Sequence, residues 1–280
     1  MPEKRISVRR LLVMLAATYL CILLLVRIFE SHFIYFPDYP SRLAGDWHPN
    51  GLTVEDVWIS ADDGTRLHAW WIPRDGASFT FLSFHGNAGN IADRVYVDRF
   101  LHDLPANVLA VEYRGYGKSE GQPREEDFYS DARAALRYLV EKRAIDSQHV
   151  VAYGQSLGTA IAVDLASETN VGGVVLEAPF TSLAAMARRA YWFLPGLSVL
   201  AGSQFDTKNK IRRIKGPVLV VQCTTDPVIP PDLGRDVYAA ASSPRTLLQF
   251  NMSCHEESAM LAPAKYKAAL QEFLARIEQR

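Results

Sequence analysis

The most constraining feature of the sequence is the pattern G-x-S-x-G at residues 154–158. Residues 149–153 before it are apolar and predict a strand, while residues 159–163 after it are small and predict a helix. Ser156 would then lie on a sharp strand-to-helix turn with its hydroxyl exposed, and small residues two positions away on either side would let strand and helix approach closely. The N–H groups at the helix start would face a negative charge developing there. The pattern therefore favours Ser156 as a nucleophile; the alternative is an ordinary serine in a strand–helix turn.

The same pattern occurs a second time at residues 117–121, centred on Ser119. Pro123 follows it closely, and a proline disfavours helical geometry at the residue before it. Three glycines in this stretch, the first of them Gly115, favour an irregular loop. Ser119 is therefore a much weaker candidate than Ser156.

Composition sets the class of protein. The chain has 280 residues, enough for one large domain with a substantial core, and its 49% hydrophobic and 22% charged residues are typical of a globular protein. The net charge of −1 provides no basic excess to neutralise phosphates, which argues against nucleic acid as a partner.

The N-terminus predicts a membrane anchor. Residues 11–26 are apolar and uncharged, four basic residues precede them, and a helix of this length rises about 24 Å, slightly short of a bilayer core. Arg27 can snorkel, Ile28 and Phe29 can extend the span, and the aromatic residues that follow up to Phe36 suggest an interfacial belt. We expect a cytoplasmic segment at residues 1–10, a single transmembrane helix at 11–29 and an exported domain at 30–280.

Two other interpretations of this segment remain open. A cleaved signal peptide would normally have a shorter apolar region and end in small residues, whereas this run ends at Val26 and Arg27. The segment could instead be a buried helix of the globular domain.

The three cysteines give no metal-ligand spacing. Cys21 lies in the apolar run, and Cys223 and Cys254 lie in the body of the chain. An exported body would permit a disulfide between the last two. We nevertheless expect them to be two free buried thiols.

Beyond the anchor, strands and helices alternate, which predicts a mostly parallel sheet covered by helices on both faces. A hairpin signal around residues 62–64 adds an antiparallel edge. Strands are predicted near 52–60, 65–73, 79–84, 107–113, 149–153, 172–177, 217–223 and 245–250, and helices near 91–104, 124–142, 158–168, 232–241 and 264–279. Residues 180–213 are too long for a plain connection, and this helical insertion could line an acyl-binding pocket or merely cover the core.

A serine nucleophile needs a base, and the base needs an acid that orients it. Only one of the seven histidines, His255, follows Ser156, and it lies just beyond the last predicted strand. Asp226 follows the preceding strand and is the favoured acid. Glu177 is the second choice, and Asp206 lies in the insertion.

The oxyanion would be stabilised by backbone N–H groups. Residues 85–90 (HGNAGN) follow a predicted strand, and the N–H of Asn87 together with that of Leu157 would form the hole. His85 is expected to be a structural loop histidine.

The motifs at residues 85–90, 113–121, 154–158 and 226–230 resemble, in order, those of the α/β-hydrolases of the Bem46-like group, similar to the ABHD12/13/17 proteins. The resemblance covers about residues 30–280 and implies the α/β-hydrolase fold with Ser156, Asp226 and His255 as the triad. One departure is present, because Gln222 and Cys223 stand where such proteins usually have His-Gly before the acid.

The implied activity is hydrolysis of an ester or thioester of a lipid-like or acylated substrate through an acyl-enzyme, with no cofactor. A dehalogenase would carry an aspartate in place of Ser156. Two alternatives are a serine peptidase of the aminopeptidase type and a non-catalytic membrane scaffold.

Overall fold

A computed structural model describes residues 7–193, 196, 204–242 and 244–280. Residues 1–6 of the predicted cytoplasmic segment, and residues 194–195 and 197–203 of the insertion, lie outside the described residues. The sequence-based boundaries at these places stay predictions.

The described residues form one eight-stranded sheet with the strand order β1-β2-β4-β3-β5-β6-β7-β8. The strands are β1 (Glu55–Ser60), β2 (Arg66–Ile72), β3 (Phe79–Phe84), β4 (Ala106–Val111), β5 (Val150–Gln155), β6 (Gly173–Glu177), β7 (Val218–Thr225) and β8 (Arg245–Ser253). β1 pairs antiparallel with β2, β2 pairs antiparallel with β4, and all other neighbours are parallel. The predicted parallel sheet with an antiparallel hairpin at its edge is confirmed.

Helices follow most of the strands. In the described residues they are α1 (Val8–Ile28), α2 (Glu30–Ile34), α3 (Val95–His102), α4 (Glu125–Lys142), α5 (Leu157–Glu168), α6 (Leu183–Ala190), α7 (Thr207–Lys210), α8 (Pro231–Ala240), α9 (Ser258–Leu261) and α10 (Pro263–Glu278). Short 3₁₀ turns precede α3 and β5 and follow α7.

The central strands are buried on both faces, which is why they read as continuous apolar runs. Every residue of β3, β4, β5 and β6 is buried. One face packs against α4, α5 and α8, with Phe128 and Ile161 in its core, and the other against α3 and α10, with Leu101 and Phe273. This arrangement brings the carboxyl ends of the parallel strands to one edge.

α1 lies apart from this core. It is 21 residues long, its most apolar stretch of 18 residues has a mean hydropathy of 2.5, and by length and composition it could cross a membrane. Within α1, all of which is described, only Leu23 is buried. A helix so apolar on all sides needs an apolar environment other than the protein core, which argues against the buried-helix interpretation.

The segment after α1 differs in part from the predicted aromatic belt. Phe29, Phe33 and Phe36 are exposed, but Tyr35 is buried and stacks edge-on against Phe128 with ring centroids 5.3 Å apart. Tyr35 is thus a core residue, because the short helix α2 turns the chain back onto the domain.

Candidate active site

Ser156 occupies the sharp turn between β5 and α5. Its backbone has φ 48° and ψ −113°. This conformation is unfavourable in free energy for any residue that carries a side chain, and such conformations cluster at functional sites. A Cβ on Gly154 would lie 2.3 Å from the carbonyl oxygen of Gly158, and a Cβ on Gly158 would lie 2.1 Å from that of Phe84. The two glycines are therefore required for the close approach that the sequence pattern predicted.

Ser119 has a structural role. It is buried, its hydroxyl donates a hydrogen bond to the carbonyl oxygen of Glu112 at 2.9 Å, and it accepts one from the N–H of His68 at 2.8 Å. The Ser119 hydroxyl thus links β2 to the end of β4 by donating one hydrogen bond and accepting another. These bonds give it a structural role away from the turn of Ser156.

Asp226 and His255 are brought together at the carboxyl edge of the sheet. Oδ1 of Asp226 accepts hydrogen bonds from the N–H groups of Val228 at 2.7 Å and Ile229 at 2.9 Å, which fix the carboxylate. Oδ2 lies 2.8 Å from Nδ1 of His255. When Nδ1–H donates to this oxygen, Nε2 is left unprotonated and can accept a proton. The structure thus brings the side chains of Asp226 and His255 within hydrogen-bond distance, and their roles as acid and base stay predictions.

The charges around His255 affect its basicity. Burial lowers the pKa of His255, but the hydrogen bond to Asp226 and the negative charge of Glu256 outweigh it, so the net pKa is raised above the usual value of 6.5. Oε1 of Glu256 lies 3.7 Å from Nε2. Glu256 was not predicted from the sequence. The only indication in the sequence is that this carboxylate directly follows the predicted base, His255.

A hydrogen bond joins the turn of Ser156 to the histidine loop, which consists of residues 254–257 between β8 and α9. Nε2 of Gln155 donates a hydrogen bond to the carbonyl oxygen of Glu256 at 3.2 Å. Among the described residues the Ser156 hydroxyl itself has no hydrogen-bond partner, so a direct contact with His255 stays a prediction. Such contacts often tighten only when substrate binds.

Asn87 and Leu157 border the same cavity as Ser156. Leu157 is the first residue of α5, so its N–H is one of those that a helix leaves without an internal acceptor. The Asn87 side chain donates to the carbonyl oxygen of Ile34 in α2 and accepts from the hydroxyl of Tyr116 at 3.0 Å. These bonds fix the loop whose backbone would complete an oxyanion hole.

The remaining candidates have other partners. His85 is buried between the carboxylate of Glu112, 3.1 Å from its Nε2, and the carbonyl oxygen of Gly86, 2.7 Å from its Nδ1, as expected of a structural histidine. Asp206 caps α7 by accepting from the N–H of Asn209 at 3.3 Å.

Glu177, the second choice of acid, contacts both the strand that leads to Ser156 and the start of α9, which follows His255. Its carboxylate accepts hydrogen bonds from the hydroxyl of Tyr153 at 2.6 Å, from Nε2 of Gln155 at 3.0 Å and from the N–H of Ser258 at 3.2 Å. Complete burial raises the pKa of Glu177 to about 7. It supports both halves of the site, whereas Asp226 contacts the imidazole.

An apolar cavity of about 470 Å³ opens at Ser156. Its described walls come from α1, α2, the loop of Asn87, the start of α5, the segment from Phe180 through α6, and the residues that follow Asp226. Met186 and Tyr191 belong to the insertion that the sequence suggested as an acyl-pocket lining, and the described part of the insertion does border the cavity.

The expectation of free thiols at Cys223 and Cys254 is wrong. The two residues form a disulfide with their Cα atoms 5.6 Å apart, a separation typical of a disulfide. β7 and β8 are parallel neighbours, and Cys223 lies opposite Phe250 near the carboxyl ends of both strands. Cys254 directly follows β8 and therefore lies close to Cys223. Cys21 is free and exposed on α1.

The mostly parallel sheet, with a strained serine turn after its fifth strand in sequence, defines the class of α/β-hydrolases. A family model described as the alpha/beta hydrolase fold matches residues 80–198. The chain is 35% identical over 243 residues to the alpha/beta hydrolase domain-containing protein WAV2 of Arabidopsis thaliana, covering 80% of this chain and 77% of that one. It is 37% identical over 161 residues to the protein bem46 of Schizosaccharomyces pombe, covering 54% of this chain and 52% of that one. The chain therefore belongs to the α/β-hydrolase family, in agreement with the Bem46-like resemblance of its motifs.

A solved structure shares the fold. The esterase Pf2001 of Pyrococcus furiosus superposes with a TM-score of 0.71 over 87% of this chain and 98% of that one, at 23% sequence identity. The chain is thus a hydrolase by family and has a fold shared with an esterase.

Proposed function

We propose that the chain is a membrane-anchored serine hydrolase that cleaves carboxylic esters or thioesters of lipid-like or acylated substrates. The observation that carries the proposal is the hydrogen-bonded pair of Asp226 and His255 at the sheet edge where Ser156 occupies a strained turn. The esterase with the same fold adds support.

In the acylation step, Oγ of Ser156 attacks the substrate carbonyl carbon while Nε2 of His255 takes the hydroxyl proton. Asp226 holds the ring and stabilises the imidazolium. The oxyanion accepts hydrogen bonds from the N–H groups of Asn87 and Leu157, each worth about 3–4 kcal/mol in comparable sites. His255 then protonates the leaving oxygen or sulfur as the bond between that atom and the carbonyl carbon breaks, which releases the alcohol or thiol.

In the deacylation step, His255 takes a proton from water, and the resulting nucleophile attacks the acyl group on Ser156. Collapse of the second tetrahedral intermediate returns the proton to Ser156 and releases a carboxylic acid. Each step uses only groups of this chain and water.

Two observations support anchoring with the catalytic domain exported. Arg9 and Arg10 stand at the amino end of α1, and a positive flank favours the cytoplasmic side. The disulfide between Cys223 and Cys254 is typical of a compartment outside the cytosol.

Labelling with a fluorophosphonate probe tests the nucleophile. The wild type and Ser119→Ala should label, and Ser156→Ala should not. Asp226→Asn should lower kcat by about 10⁴-fold, by analogy with the acid of other triads. Label retained in Ser156→Ala contradicts the mechanism.

Substrate class is tested with p-nitrophenyl esters of increasing chain length, acyl thioesters and aminoacyl amides. Faster turnover of the amides would reject the proposal in favour of a peptidase. Topology is tested separately by adding protease outside spheroplasts, where an exported domain is digested and a cytoplasmic one is protected.

A further inference from the structure

The cavity at Ser156 has an unusual wall, because the anchor helix forms part of it. Leu23, the one buried residue of α1, lines the cavity together with Val26. Phe33 and Ile34 of α2 continue the wall toward Asn87 and Ser156. The place where the membrane helix meets the catalytic domain is thus the place where the cavity lies.

The opposite wall ends in exposed aromatic side chains. Met186 and Tyr191 of the insertion line the cavity, and the next two residues, Trp192 and Phe193, are 80% and 59% exposed. On the α2 side, Phe33 is 62% exposed. Aromatic residues in this position, continuous with an apolar helix, fit the interface of the bilayer that the helix enters.

The charges at the cavity are compensated. Arg27 and Glu30 both line it and form an ion pair with their charged atoms 3.1 Å apart. The other described lining residues are apolar apart from Asn87, Ser156 and the hydroxyl of Tyr191. The volume of about 470 Å³ falls in the range of about 300–1,000 Å³ typical of ligand pockets. An uncharged alkyl chain suits such a surface better than a polar or charged group does.

From these contacts we propose that the cavity is an acyl-chain site between the anchor helix and α6, and that the substrate chain enters it sideways from the bilayer. This inference rests on the proposed function, because it assigns the acyl group that Ser156 attacks. The occupant is the hydrocarbon chain of a membrane-resident ester or thioester. The anchor helix is then part of the substrate-binding site as well as an attachment.

The test uses the full-length chain in phospholipid nanodiscs and p-nitrophenyl esters of short and long acyl chains. Val26→Trp fills the cavity, and Leu24→Trp is the matched control, because Leu24 lies on the same helix but is exposed and outside the cavity lining. We expect Val26→Trp to lower the ratio of kcat/KM for the long ester to that for the short ester at least tenfold, and Leu24→Trp to leave it unchanged.

A second measurement tests the route of entry. The mole fraction of the long-chain ester in the nanodisc bilayer is varied while its total concentration is held constant. The rate should follow the mole fraction in the bilayer. A rate that stays constant while the mole fraction changes, or an unchanged ratio in Val26→Trp, overturns the inference while leaving the hydrolase intact. A wild type that hydrolyses neither ester and does not label with fluorophosphonate overturns the proposed function itself.

Discussion

Glu256 places its carboxylate oxygen 3.7 Å from Nε2 of His255, the ring nitrogen that Asp226 does not contact. The other oxygen of Glu256 lies 3.4 Å from the guanidinium of Arg94, which in turn donates a hydrogen bond to the carbonyl oxygen of Ala88 at 3.0 Å. The histidine loop and the loop of Asn87 are therefore joined by charged side chains. A negative charge beside this nitrogen, which accepts a proton in the proposed mechanism, stabilises the protonated form of the ring.

The first prediction concerns the pH dependence of the hydrolysis. Glu256 contributes to the raised pKa of His255, and in the proposed mechanism His255 acts as a base only above that pKa. Glu256→Gln removes the charge while keeping the size, so the acid limb of kcat/KM should move down by about one pH unit. The measurement is a pH profile with p-nitrophenyl acetate.

Glu141→Gln is the control, because it removes the same charge at an exposed residue of α4. Its profile should coincide with that of the wild type. An acid limb that stays in place in Glu256→Gln would mean that Arg94 already neutralises this carboxylate.

The second prediction concerns the disulfide. Cys223 and Cys254 are 31 residues apart, and closing a loop of this length stabilises a fold by about 3–4 kcal/mol in the chain-entropy account. The double variant Cys223→Ala with Cys254→Ala should lose stability of this order. Because Cys254 directly precedes His255, the hydrolysis rate should fall as well. Thermal unfolding and ester hydrolysis in detergent measure both effects.

Cys21→Ala is the matched control, since Cys21 is the free cysteine. Dithiothreitol should lower the melting temperature of the wild type and of Cys21→Ala but not that of the double variant. Equal melting temperatures of the wild type with and without reductant contradict a stabilising disulfide.

The sequence predicted the order of elements because buried parallel strands and amphipathic helices leave strong local patterns. It also selected Ser156 over Ser119, since Pro123 marks a loop where a helix would have to begin. It could not predict the disulfide, because the meeting of Cys223 and Cys254 depends on β7 lying beside β8 in a particular register. Tyr35 was misjudged for a similar reason: its partner Phe128 is distant in sequence.

The third prediction concerns a buried ion pair between Asp131 of α4 and Arg114 of the loop that follows β4. Arg114 and Asp131 are 5% and 1% exposed, and Nε of Arg114 donates to Oδ2 of Asp131 at 2.9 Å. Asp131→Ala leaves a buried guanidinium with less compensation, a change that typically costs about 3–5 kcal/mol. Asp63 also accepts from Arg114, at 2.8 Å, so we expect a loss at the lower end, about 3 kcal/mol.

Urea unfolding of the detergent-solubilised chain measures this loss. Asp62→Ala serves for comparison, because Asp62 pairs with Arg137 at the surface, where the two side chains are 64% and 42% exposed. An exposed pair contributes less than about 1 kcal/mol. Equal losses in the two variants would contradict the importance of burial at Asp131.

Asp98 of α3 underlies the last prediction, because it is a buried acid with little compensation. It is 1% exposed, and its Oδ2 has no hydrogen-bond partner among the described residues. Burial raises its pKa to about 8, against the opposing charge of Arg94. The folded state therefore holds a proton that the unfolded chain, with a pKa of 3.8, releases.

Between about pH 4 and 8 the folded state binds more protons at Asp98 than the unfolded chain does. The free energy of unfolding therefore falls as the pH rises, by up to about 1.4 kcal/mol per pH unit. Asp98→Asn keeps the shape and removes the titration. The melting temperature of the variant relative to the wild type should thus increase steadily from pH 5 to pH 8. A difference that stays constant over this range would mean that Asp98 does not retain its proton in the folded chain.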